Sequence, residues 1–305
     1  TLPEGEVTNE RLSRLYDLYK EAQLTEFRRN YDLLLKYRSI DKDVVAKVTE
    51  ITLGKSEDNC GSVNSLKMMF NRHTEVNKAI TDLFSNHLDL LKRVYFAVLK
   101  TESYFDHDGQ TFNRILDVDP DFILEYVDLI HDEGKTRLPQ KNIDYTFLWM
   151  REDYEKLMIG VVDLIYNLDQ KRSMFLYTCL DNFFVEKETE KKIEVRTRQD
   201  SILKGLIERH HDEPRFMTFI FSVIAQLSPE RRLKLLEILL KHNNDFELFR
   251  KIPLELNMWS GIGGSFVPAF QKRAEYFETL LPLLNTVDLL EHRQYVERII
   301  QGIYS

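Results

Sequence analysis

The chain has 305 residues, 43% of them hydrophobic, with a net charge of −8, two cysteines, 11 glycines and 8 prolines. That balance excludes a disulfide-stapled scaffold and speaks against a basic nucleic-acid binder. The longest nearly apolar run, 216–227, is far short of the roughly 20 residues that cross a bilayer, so a membrane span is excluded as well. Cys60 and Cys179 belong to no CxxC pair, and a reducing cytoplasm is the simplest setting for them. The negative charge is local: residues 101–160 hold 6 basic and 14 acidic side chains. Such a surface repels phosphates and anionic lipid and suits either open solvent or a basic partner.

Helical spacing runs through the whole chain. Leu12, Leu15, Tyr16 and Tyr19 follow the 3–4 rhythm, and Phe27, Tyr31, Leu34 and Leu35 repeat it. A helix over 41–53 stops at Gly54, and a polar loop covers 54–65. Val76, Ile80, Leu88, Leu91 and Val98 predict one long helix over 74–100. Loops are expected at 105–113 and 131–143. Asp119-Pro120, Glu213-Pro214 and Ser228-Pro229 each read as an N-cap followed by proline in the first turn, where a missing N–H costs nothing. On the helix after Ser228, Glu230/Lys234 and Glu237/Lys241 are i,i+4 pairs, and Leu233, Leu235, Leu236, Leu239 and Leu240 fill the other side. Further helices fit 154–168, 174–185, 189–211, 214–226, 268–285 and 288–303. The last opens on Asp288 and Glu291, a capping-box-like spacing.

No segment alternates with period two, so the expected fold is all-α. About twelve helices on short loops fit an irregular helical-repeat array of HEAT- or TPR-like pairs, α-solenoid-like, or a large helical bundle. Three parts are expected: an N-terminal helical part over 1–104, an acidic junction with loops over 105–153, and a C-terminal helical array over 154–305. The chain opens at Thr1 rather than Met, which fits a piece of a larger multidomain protein.

Catalytic motifs are tested in turn. Gly54-Lys55-Ser56 supplies only the tail of a P-loop, with Thr49 where its first glycine belongs. Asp121, Glu133 and Lys135 mimic the spacing of a metal-dependent nuclease, but a helix length separates the carboxylates. Asp106-His-Asp108-Gly109 starts like a calcium loop, with its glycine two positions early. His210 and His211 are adjacent on a helix and so point about 100° apart, as metal ligands do not. Neither a nucleophile elbow nor a cysteine with a histidine close in sequence is present. Lys and Arg over 187–198 alternate with Glu186, Glu188, Glu190 and Glu194, which makes a salt-bridged solvent face.

The stretch from Trp259 through Gly261, Gly263 and Gly264 to Pro268 departs from this helical pattern. Glycines leading into a helix can hold an anion on free N–H groups, or they can shape a loop over packed aromatics. With Lys272 and Arg273, these residues form the candidate binding site, with no catalytic residue, metal or cofactor.

Trp259-Ser-Gly261, Val267-Pro268, Lys272-Arg273, Tyr276-Phe277, Leu280-Leu281-Pro282-Leu283-Leu284 and Glu291-His292-Arg293 are similar to the helical C-terminal ends of large bacterial ATP-binding proteins of the STAND type. The resemblance covers about 40 residues. It implies a sensor array that follows an NTPase and an effector, neither of which this sequence contains. The expected function is therefore a non-catalytic module for protein interaction or ligand sensing. Exposed aromatics and an acidic 102–133 face would be its contact surface, with neither nucleic acid nor membrane as partner. An all-α enzyme or anion-binding domain at the glycine-rich stretch, and a passive scaffold, are the alternatives.

Overall fold

A computed structural model describes residues 86–101, 106, 109–132, 145–172, 177–184, 192–255 and 267–304, together with positions 46, 49, 50 and 53. Among the described residues the protein is all-α, with twelve α-helices, two 3-10 turns and no strand. The chain divides into two compact units, 1–148 and 149–305. The helices expected over 12–19 and 27–35 and the loop at 54–65 lie outside the described residues. Of the 41–53 helix, positions 46, 49, 50 and 53 are helical. Ala46, Thr49 and Leu53 are buried at i, i+3, i+7 spacing. A helical, buried Thr49 agrees with the rejection of a P-loop there.

In the N-terminal unit, α1 (Leu88–Thr101), α2 (Gln110–Val118), α3 (Phe122–Asp132) and the one-turn α4 (Thr146–Met150) surround an aromatic core. Tyr95, Phe112, Phe122 and Tyr126 are fully buried, with ring centroids 4.8–5.9 Å apart. Their polar tips are satisfied inside: the Tyr95 hydroxyl donates to Asp106 Oδ2 at 3.0 Å, and the Tyr126 and Tyr145 hydroxyls share a 2.6 Å bond. Burial, and then the Asp106 charge, push the Tyr95 hydroxyl well above its ordinary range.

Asp106 explains where α2 begins. Its carboxylate accepts the N–H groups of Thr111 and Phe112, both at 2.8 Å, and so caps orphan donors of the first turn from outside the helix. The chain reaches that geometry through two left-handed residues, Asp106 at φ 46° and Gly109 at φ 65°. A Cβ at Gly109 would collide with the Phe147 ring. The Asp106–Gly109 motif that resembles a calcium loop is thus a helix-capping turn, and the loop expected over 105–113 gives way to helix at Gln110.

Two other boundaries differ from expectation. No single helix runs over 74–100, because Asn86 and His87 are non-helical and α1 starts at Leu88. Pro120 does not open α3. Asp119 first makes a turn, its Oδ1 accepting Asp121 N–H at 3.2 Å, and the helix begins two residues later. Asp119 Oδ2 also pairs with Lys92 at 2.8 Å, as does Glu125 at 2.5 Å. Burial alone would lower the Lys92 pKa, but these two hydrogen-bonded carboxylates raise it.

The C-terminal unit holds eight helices: α5 (Tyr154–Arg172), α6 (Tyr177–Phe184), α7 (Lys192–His210), α8 (Pro214–Ile224), α9 (Pro229–His242), α10 (Phe246–Lys251), α11 (Val267–Glu278) and α12 (Leu290–Tyr304). Consecutive helices pack together as α5–α6, α7–α8 and α11–α12, and alternate helices contact one another in two rows. In the first row α5 lies on α7 and α7 on α9; in the second α6 lies on α8, α8 on α10, and α10 on α12. Helices α5, α7, α9 and α11 begin at 154, 192, 229 and 267, intervals of 38, 37 and 38 residues. Asp200 meets Arg231, Glu208 meets His242, and the His211 carbonyl meets Asn243. Residue numbers therefore rise together along the contact, and α7 and α9 run parallel.

The sequence signals explain the details. Pro214 and Pro229 take the first position of α8 and α9, as expected. Glu230–Lys234 and Glu237–Lys241 pair on the solvent side of α9 at 2.7 Å. The helix expected over 268–285 ends at Glu278, and a 3-10 turn covers Leu281–Leu284. Asp288 lies inside a second 3-10 turn, Val287–Leu289, and not at an N-cap, so the capping box expected on Asp288 and Glu291 is not formed. Helices α2 and α3, from the stretch expected as an acidic junction over 105–153, lie in the unit 1–148.

Gly109→Ala combines an unfavourable positive φ with a steric clash, and should cost about 2–4 kcal/mol. Asp106→Asn, which keeps the shape but loses the charged acceptor, should cost about 1–3 kcal/mol. Urea denaturation midpoints read both. A silent Gly109→Ala would contradict the turn described here.

Candidate functional site

Of the residues predicted to form a binding site, Trp259, Gly261, Gly263 and Gly264 lie outside the described residues. Lys272 and Arg273 stand on α11. The structure does not bring these two together on one face: Lys272 is exposed, while Arg273 turns inward. Its Nε and Nη2 reach Glu255 Oε1 at 2.7 and 2.5 Å, and Glu255 is buried. One turn further on, the Tyr276 hydroxyl donates to the Leu254 carbonyl at 2.6 Å. The Arg232 guanidinium, from α9, lies 4.1 Å over the Tyr276 ring. Burial raises the Tyr276 hydroxyl's pKa, and the Arg232 charge offsets part of that rise.

These contacts fasten Leu254 and Glu255, just before the glycine-rich stretch, to the helix that follows it. Arg273 does not stand ready for an anion, because its charge is already matched by the buried Glu255. Sequence reading identified Arg273 but missed Glu255, Tyr276 and Arg232. A lone glutamate in Pro253-Leu254-Glu255-Leu256 was the available signal, since a charge among apolar residues needs a partner when buried.

Arg231 and Arg232 look in sequence like an isolated basic pair. Adjacent helical positions send them to different neighbours. Arg231 is buried and bonds Asp200 Oδ1 through Nε at 2.7 Å and Gln199 Oε1 through Nη2 at 3.1 Å, which ties α9 to α7. His210 and His211 serve the end of α7. The first stacks on Phe216 at 4.3 Å and meets Glu213, and the second meets the Glu208 carbonyl at 2.9 Å. Among the described residues no group of His, Cys, Asp and Glu could hold a metal, and no helix is long and apolar enough to cross a membrane.

Among the described acidic residues of this stretch, Asp106 caps α2, and Asp119 and Glu125 pair with Lys92. Asp121, just before α3, and Asp128, on it, are exposed. The described aromatics Phe112, Phe122 and Tyr126 are buried in the core. Comparison with protein-family models, curated proteins and solved structures finds no match.

Removing one partner of the Glu255–Arg273 pair strands a charge. Arg273→Met should destabilise the C-terminal unit by about 1–3 kcal/mol, a buried-pair cost discounted for Arg273's partial exposure. Adding Glu255→Leu should recover most of the loss. A double-mutant cycle on thermal midpoints checks this, and strictly additive losses would show that the pair does not couple.

Proposed function

We propose that the chain is a non-catalytic helical-repeat module that binds protein or senses a ligand within a larger multidomain protein. One observation carries the reading: alternate helices of the C-terminal unit contact one another in two rows, and α5, α7, α9 and α11 begin 37–38 residues apart. Stacked helices of this kind offer long continuous surfaces, which suit partner binding more than a deep reactive cleft. The buried charges point the same way. Asp106, Glu255 and Arg231 each spend their hydrogen-bonding capacity on holding helices and turns.

The STAND resemblance is compatible with this reading. Its described residues Tyr276, Phe277, Leu280, Leu284 and His292 are buried in the last pair, so they speak to the array and not to a reaction. A reducing cytoplasm fits a chain with two unpaired-looking cysteines in sequence. The neutralised Arg273 tells against an anion site at the glycine-rich stretch. The contact surface assigned to the N-terminal unit is its acidic face at Asp121 and Asp128, suited to a basic partner.

Tagged chain used as bait should retain one stoichiometric protein from lysate. Asp121→Lys with Asp128→Lys should abolish that retention while leaving the thermal midpoint within about 1 °C, since both positions are exposed. Retention unchanged by the double reversal would remove the acidic face from the interaction. A folded bait that retains nothing would favour a passive scaffold.

A further inference from the structure

The contact between α10 and α12 closes over His292. Its side chain is 2% exposed, and the rings of Phe249 and Phe246 stand edge-on to it at 4.7 and 5.4 Å. Among the described residues neither ring nitrogen has a hydrogen-bond partner. A neutral imidazole tolerates such a place, because it carries a single N–H that can rest against an aromatic face. An imidazolium carries a full charge and two donors, and burying it without an acceptor is costly.

The histidines at the ends of α7 and α9 are arranged the opposite way. His210 faces Glu213 at 2.8 Å, His211 faces Asp212 at 3.3 Å, and His242 faces Glu208 at 3.9 Å. Each of these gains an ion pair on protonation, whereas His292 gains none. The charges that act on His292 are Glu291 on its own helix and Asp245 at the start of α10. Asp245 already accepts Leu248 N–H at 2.7 Å as the α10 cap. Among the described residues, α11 and the two 3-10 turns, which also pack on α12, bring no charge that acts on it.

We propose that His292 is an acid-sensitive latch, whose protonation releases α12 from α10. Burial lowers the pKa of the ring, and the two carboxylates only partly oppose this. Because the folded pKa lies below the unfolded value of about 6.5, the latch's contribution is complete above that pH. It is lost as pH falls through 6.5 towards the folded value. For a ring held neutral in the fold, opening is favoured up to about tenfold more at pH 5.5 than at pH 7.5.

Hydrogen exchange on the whole chain at these two pH values, corrected for intrinsic exchange, tests the proposal. Protection of 246–251 and 290–304 should fall up to about tenfold at pH 5.5, while that of 214–224 holds. His292→Phe keeps an aromatic ring but cannot take up a proton, and it should show no such fall. An equal fall in His292→Phe overturns the latch. If that variant does not fold, NMR titration of the imidazole in the unaltered chain decides. A pKa below about 6.5 supports the proposal, and one at or above it overturns the proposal.

Discussion

The C-terminal unit depends on the burial of α8. Phe216, Met217, Phe219, Ile220, Phe221, Val223 and Ile224 are all buried on this one eleven-residue helix, a wide apolar face that leaves only a stripe at Pro214, Arg215, Thr218 and Ser222 towards solvent. Each such side chain gains about 1.5–3 kcal/mol on leaving water, and so wide a face is stable only when several neighbours cover it. α8 accordingly touches α6, α7, α9 and α10. The two-row arrangement satisfies this demand, with one row covering α8 from the side and its own row covering it above and below.

Enclosing so much apolar surface forces the polar groups of the neighbouring helices to find partners among themselves. Trp149 Nε1 donates to the Phe183 carbonyl at 2.7 Å, and Arg198 reaches the Trp149 and Arg151 carbonyls at 2.6 and 3.0 Å. Arg231 meets Asp200 and Gln199 across the α7–α9 contact. Exposed ion pairs such as Glu230–Lys234 add little, because water already solvates both charges. Leaving a buried charge such as Arg231 unpartnered would cost about 3–5 kcal/mol. These bonds also fix the axial register of parallel helices, which apolar packing alone leaves loosely defined.

The all-α class and most of the helix positions were legible, because 3–4 spacing and proline at a first turn are local signals. Pro214 and Pro229 sit where their missing N–H predicts. What escaped was non-local. α10 is only six residues long, too short for a period to show, and its Asp245 cap was the sole local cue. Asp106 caps α2 from five and six positions away, so its role depends on a turn that exists only when Gly109 packs under Phe147. The glycine-rich stretch caught attention by composition. The residues that fasten its flanks, Glu255 and Tyr276, carry no motif, and Arg232 lies more than twenty positions away in the chain.

Those fastenings stand beside a long connection. α7 and α9 follow their predecessors after connections of 7 and 4 residues, whereas 15 residues separate α10 from α11. Yet α11 starts 38 residues after α9, as α7 starts 38 after α5. α10 is the shortest helix of its row. The Glu255–Arg273 pair, the Tyr276 bond to Leu254 and the stacking of Arg232 on Tyr276 fasten the chain after α10 to α11, and α11 to α9. Glu255 and Arg273 are for this reason the positions where a single substitution should loosen the C-terminal unit without touching its apolar core.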